Sequence, residues 1–194
     1  MRDEIEHYWR ELGDVTRTMP FGALARAAEI LLDCHQRSGT IFILGNGGSA
    51  ATASHFACDL AKGTLTTGLP PFRAVTLGDN VALLTAWAND TSYERVFAEQ
   101  VTALMRAGDV LVAISASGNS PNVLRAATTA RGLGATTIAL TGRSGGQLRR
   151  LADLVIRVPA GPIEQVEDAH LMIAHSLCVA LRLRLRAQVA ETAR

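Results

Sequence analysis

Short apolar runs alternate along this chain with longer segments whose apolar residues recur every three or four positions. Five runs have strand length: Thr40–Leu44, Phe72–Leu77, Val110–Ile114, Ala135–Leu140 and Asp153–Val158. Between them, helical spacing predicts helices over 2–16, 20–37, Ala50–Lys62, Asn80–Trp87, Ser92–Met105, Asn122–Arg131 and about Ile163–Arg186. Leu24, Ala27, Ile30, Leu31 and Cys34 mark the inner face of the second helix, and Pro20 suits its first turn. Gly63 and Gly134 end helices, while Ala88-Asn89-Asp90 is expected to interrupt two helices and cap the later one. Continuous apolar strands alternating with helices predict an α/β fold, a parallel sheet covered on both faces. The chain carries no linker, repeat or low-complexity segment, so one domain over 1–194 is expected. The amphipathic pair over 1–37 precedes the first strand and suggests a surface for another subunit.

In such sheets, ligands bind beyond the carboxyl ends of the strands. Three polar turns fall at that edge: Gly45-Asn46-Gly47-Gly48-Ser49, Ser115-Ala116-Ser117-Gly118-Asn119-Ser120-Pro121 and Thr141-Gly142-Arg143-Ser144-Gly145-Gly146. The serine turn by itself has two readings. Its hydroxyls and N–H groups could cradle a phosphate at a helix N-terminus, or Ser and Asn could merely cap the helix. Its position among three such turns favours phosphate. The first turn has no GxxxxGK[ST] and no lysine. It also lacks the third glycine of GxGxxG, and no acidic residue closes the next strand, which disfavours nucleotides. A small phosphorylated metabolite held by N–H and O–H donors fits better.

Composition narrows the field. The chain has 194 residues, 48% hydrophobic content and a formal charge of +1, with scattered arginines and few aromatics. That excludes a basic nucleic-acid surface. Cys34, Cys58 and Cys178 are far apart and show no CxxC spacing, as expected in a reducing compartment. The polar N-terminus is no signal peptide and no run approaches membrane length, so cytoplasmic localisation is expected.

Two helices carry groups able to do chemistry. His55 and Asp59 are four apart after the first Gly turn. On the last helix, Glu164, Glu167, Asp168, Leu171 and His175 are spaced by three or four, whereas His170 points elsewhere. If the helices meet, imidazoles and carboxylates could hold a divalent metal such as Zn²⁺, or act as an acid–base pair. Each helix alone reads as readily as a solvated ion pair, and spacing does not join them. Tyr93 and Trp87 are expected to pack, and Cys58 to be a small packed residue.

Gly45-Asn46-Gly47-Gly48-Ser49-Ala50 with His55-Phe56-Ala57, Ala88-Asn89-Asp90, Gly108-Asp109-Val110-Leu111, Ile114-Ser115-Ala116-Ser117-Gly118-Asn119-Ser120, Leu140-Thr141-Gly142 and Gly145-Gly146 together resemble the SIS (sugar isomerase) domain. More narrowly, they resemble the phosphoheptose (sedoheptulose 7-phosphate) isomerase family, over nearly the whole chain. The resemblance implies a three-layer, flavodoxin-like α/β/α sandwich with a five-stranded parallel sheet. It also implies a homotetramer with sites between subunits, and isomerisation of sedoheptulose 7-phosphate to D-glycero-D-manno-heptose 7-phosphate through an enediol. Ser49, Ser115, Ser117 and Ser120, with Ala116 among them, would hold the phosphate. Asn46, Gly47, Gly48, Asn89, Asp90 and Glu167 would meet the sugar. His55, Asp59, Glu167 and His175 take the metal positions, often filled by zinc, with Asp59, Glu167 and His175 as the catalytic candidates. A second reading is a non-catalytic SIS module that binds a sugar phosphate or a protein partner such as a replication initiator. Three departures stand out: Asp59 where the family usually has Glu, Glu167 where it has Gln, and Ala116 where it has Thr.

Overall fold

The computed structural model describes residues 1–192. In chain order the elements are α1 (Arg2–Arg17), α2 (Phe21–Gln36), β1 (Thr40–Leu44), α3 (Gly48–Cys58), β2 (Arg73–Thr76), α4 (Val81–Asp90), α5 (Val96–Leu104), β3 (Val110–Ser115), α6 (Pro121–Gly132), β4 (Thr136–Thr141), β5 (Leu154–Arg157) and α7 (Ile163–Thr192). The five strands form one parallel sheet in the order β2-β1-β3-β4-β5. The order reverses at β1, the switch point where such sheets open a crevice.

Strand periodicity of two sorts the core into two layers. Ile41, Ile43, Val112, Ile114, Ile138, Leu140 and Ile156 face a cluster built with Leu31, Phe56, Leu60, Ile173 and Leu177, from α2, the α3 segment and α7. Phe42, Leu44, Leu111, Ala113 and Ala139 face the other cluster, with Val96, Phe97, Val101, Val123 and Ala126 from α5 and α6. Ile43, Leu44, Leu111 and Ile114 are fully buried, each worth about 1.5–3 kcal/mol relative to exposure. The expected α/β/α sandwich is therefore present, and it places the ends of β1 and β3 side by side, with Leu44 paired to Ala113.

Several boundaries differ from those the sequence suggests. α4 runs through Asn89 and Asp90 instead of stopping before them. The break comes at Thr91 (φ −131°, ψ −89°), whose hydroxyl donates to the Trp87 carbonyl at 2.6 Å. Asp90 does not cap the following helix, because its carboxylate accepts from the Asn89 amide at 2.9 Å. The next helix opens as a short 3₁₀ turn, Tyr93–Arg95, before α5. α3 starts at Gly48, and the segment predicted as its end, Asp59–Gly63, winds as a wider π turn. α7 continues past Arg186 to Thr192.

Candidate active site

Ser115 is the last residue of β3, and Ser120 precedes Pro121, the first residue of α6. Ser120 occupies the N-cap position but makes no side-chain cap bond. Its hydroxyl lies 3.1 Å from that of Ser115, which lies 3.5 Å from that of Ser117. Three hydroxyls thus converge in front of a helix N-terminus, whose partial positive charge favours an anion. The loop keeps this shape through the turn after β4. Gly118 has φ +65°, and a Cβ there would run into the Gly145 carbonyl. Leu148 N–H donates to Gly118 O and Gly142 N–H to Ala116 O, both at 2.9 Å.

The turn after β1 is equally tight. Gly47 sits at φ +55°, ψ −124°, open only to glycine. A side chain on Gly45 would come within 2.7 Å of the Ser49 Cβ, and Ser49 is buried. A Cβ on Gly48 would lie 2.6 Å from a Glu167 carboxylate oxygen, so Glu167 of α7 rests against the first turn of α3. The Asn46 side chain leaves this turn to pair with Asn122 of α6, through two amide hydrogen bonds of 2.9 Å. The Tyr93 hydroxyl donates to Asn46 Oδ1, also at 2.9 Å.

α3 and α7 do meet. His55 and His175 approach Nε2 to Nε2 at 3.3 Å, and each Nε2 lies 3.6 Å from Asp59 Oδ2. Asp59 stands where α3 widens into the π turn, a local irregularity often found at functional sites. These are the edge lengths of a tetrahedron around an ion with bonds of about 2.0–2.2 Å, and three protein ligands leave one position open. The donor set therefore fits a divalent metal. Cys178, one turn beyond His175, is buried and lies outside this cluster. Burial, aided by the negative Asp59, pushes its thiol up to about 12. Both histidines are nearly half exposed, so the cluster opens outward from this single chain.

Comparison with known proteins matches residues 7–142 to the SIS domain family. A phosphoheptose isomerase of Mycobacterium tuberculosis is 47% identical over 154 residues, covering 79% of this chain and 78% of the relative. One of Rhodospirillum rubrum is 42% identical over 180 residues, covering 92% and 95%. This chain belongs to the phosphoheptose isomerase family of SIS-domain proteins. The backbone agrees. The phosphoheptose isomerase structure from Neisseria gonorrhoeae superposes with a TM-score of 0.86 at 35% identity, covering 93% of this chain and 97% of that one. The Francisella tularensis structure gives 0.87 at 34%, with the same coverage.

Of the positions matched to the phosphoheptose isomerase family, Ser115, Ser117 and Ser120 converge, and His55, Asp59 and His175 form one cluster. Glu167 does not join that cluster; its carboxylate rests at Gly48, near the other end of α3. Asn89 and Asp90 are exposed on the last turn of α4 and bond to each other. Asn122 was missed, because an Asn in a helix first turn signals nothing beyond ordinary capping. Tyr93 does not pack as expected but bonds to Asn46. Cys58 is exposed, not packed. His170 is fully buried on a different face of α7; the Thr141 backbone is its nearest polar neighbour, but among the described residues no group meets either ring nitrogen at full hydrogen-bond geometry. Burial pushes it down to about 4, with the Thr141 backbone opposing only in part.

Proposed function

We propose that the chain is an aldose–ketose isomerase that converts sedoheptulose 7-phosphate to D-glycero-D-manno-heptose 7-phosphate through an enediol. The observation that carries this reading is the combination, in a member of the phosphoheptose isomerase family, of three converging serine hydroxyls and a His55–Asp59–His175 cluster. Ser115, Ser117 and Ser120, with Ser49, hold the phosphate by hydrogen bonds strengthened by its charge. Gly47 and Gly48 bring backbone N–H groups close to the sugar, with Asn46, Asn89 and Asp90 around it. A carboxylate removes the proton alpha to the carbonyl, and His175 moves the proton on oxygen across the C1–C2 unit. Asp59 and Glu167 are the two candidates for that carboxylate, and Glu167 stands clear of the imidazoles, beside the glycine turn. His55, Asp59 and His175 would hold Zn²⁺, with Glu167 as a fourth ligand if its side chain turns toward them. The ion, when bound, supplies Lewis-acid stabilisation of developing negative charge on the substrate oxygen. A non-catalytic module has no use for this cluster, so that alternative is not favoured.

The partner is a second copy of this chain, in a homotetramer of single SIS domains with sites between subunits. Met172, Val179 and Leu183 are exposed on the α7 face that also carries His175, and Ile5 and Trp9 are exposed together on α1. The three cysteines are unpaired and no described helix is long and apolar enough to cross a membrane, which suits a cytoplasmic enzyme.

The test is to incubate the protein with sedoheptulose 7-phosphate, with Zn²⁺ or a chelator, and follow aldose formation. Turnover that falls on chelation and returns with Zn²⁺ is expected. No turnover of this sugar or of a panel of ketose phosphates overturns the reading.

A further inference from the structure

We infer that Asn46 is the hub of a hydrogen-bonded junction in which Asn122 and Tyr93 are positioning residues, locking three loops of the active edge together. The proposal rests on the isomerase reading for its kinetic consequences but not for its geometry. Asn46 belongs to the turn after β1, Tyr93 to the connection after Asn89 and Asp90, and Asn122 to the first turn behind the serine loop. The turns after β1 and β3 leave the same edge of the sheet, the segment after α4 comes up beside them, and these side chains link all three directly.

The polarity of the junction is fixed from the backbone outward. The Val123 N–H, which is always a donor, points at Asn122 Oδ1 at 3.0 Å. That sets which end of the Asn122 amide is oxygen. The same oxygen accepts from Asn46 Nδ2, and Asn122 Nδ2 donates back to Asn46 Oδ1. Asn46 is therefore oriented too. Its oxygen receives a second donor, which obliges the Tyr93 hydroxyl to give its proton inward. Both amide oxygens now carry two donors each, their full capacity. Asn46 thus has no acceptor left for a sugar hydroxyl. Of its side chain only the second amide hydrogen remains for substrate, and its backbone carbonyl already accepts from the Ser49 and Ala50 N–H groups, so a side-chain contact of Asn46 with the sugar is made as a donor.

Asn122 is 2% exposed, so each of its bonds is costly to leave unmade. Tyr93 is half exposed, and removing its hydroxyl leaves Asn46 one partner short without opening the core. The two residues bond to Asn46 and not to each other, so their effects should be coupled only through it. Losing one such bond corresponds to roughly a three- to tenfold effect. Because ~1 Å of misplacement can slow a reaction about 10²-fold, loosened loops should register in kinetics before they register in fold.

The experiment is a cycle of Tyr93→Phe, Asn122→Ala and Asn46→Ala, singly and combined. The readouts are KM and kcat for sedoheptulose 7-phosphate, and hydrogen exchange of segments 45–50, 88–93 and 115–121. Tyr93→Phe should raise KM about three- to tenfold, with a smaller fall in kcat, and speed exchange in all three segments. In the Asn46→Ala background the same change should do nothing further. Asn122→Asp, which keeps size and the Val123 contact but sets a carboxylate oxygen against Asn46 Oδ1, should not rescue Asn122→Ala. The proposal is overturned if Tyr93→Phe has the same effect with and without Asn46, or if only thermal stability moves. If the unaltered protein makes no aldose, the isomerase reading fails. The junction then stands or falls on exchange and on titration with inorganic phosphate: coupled changes support it and independent ones reject it.

Discussion

Ser120 separates two roles that a sequence cannot tell apart. A serine at an N-cap usually stabilises its helix, and Ser→Ala there costs about 1 kcal/mol. Here the hydroxyl turns toward Ser115 and makes no cap bond. Ser120→Ala should therefore lower stability by less than about 0.5 kcal/mol while raising KM for the sugar phosphate several-fold, measurable by urea unfolding beside steady-state kinetics. His175→Ala should abolish turnover, by about 10²-fold or more, with little change in melting temperature, since the side chain is nearly half exposed. A variant that keeps its rate would remove His175 from the mechanism. Gly48→Ala acts through a neighbour. The added methyl would displace the Glu167 carboxylate, so the rate should fall more than the fold does. At this scale the residue types were legible in the sequence, but the direction in which Ser120, Glu167 and Tyr93 point was not. Direction depends on groups far away in the chain.

α7 gathers several roles on one helix, and its faces divide them. One face carries His175 and another buries His170. A histidine held near 4 when folded, against 6.5 when free, stays neutral in the native protein at neutral pH. Between those values the unfolded chain binds more protons, so stability falls as pH drops from about 6.5 toward 4. The loss amounts to roughly 3 kcal/mol at full extent. His170→Leu should flatten that part of the stability–pH curve, followed by urea midpoints across the range. It should cost little at pH 7, where the two buried nitrogens removed have at most the weak Thr141 backbone contact. An unchanged slope would mean that another group titrates. Helix existence was readable from apolar spacing, yet the ends of α3 and α4 were not. Asn89 and Asp90 look like a helix stop, but a closing turn tolerates them when their side chains bond each other.

For the whole molecule, the exposed apolar residues flanking His175 make a prediction about assembly. Size-exclusion chromatography with light scattering should report a tetramer. Leu183→Arg, placing a charge on that face, should shift the protein to smaller species and reduce turnover together. A monomer with full activity would show that one chain completes its own site.

Taken alone, the order of apolar runs and helical segments determined the α/β class and the parallel sheet. It also placed three Gly/Ser turns at one edge, because strand burial and crossover connections leave few alternatives. The motifs then carried the family resemblance, which the matched relatives and superposed backbones bear out. The resemblance had grouped His55, Asp59, Glu167 and His175, but only the tertiary structure set His175 of α7 within reach of His55 and Asp59 and left Glu167 outside that cluster. Only it set Glu167 against Gly48, and turned Asn46, Asn122 and Tyr93 into one junction. The physical reason is common to all three. Periodicity fixes which face of its own helix or strand a residue occupies. A hydrogen bond or a ligand set between residues 76 or 120 positions apart exists only once packing has chosen which faces meet.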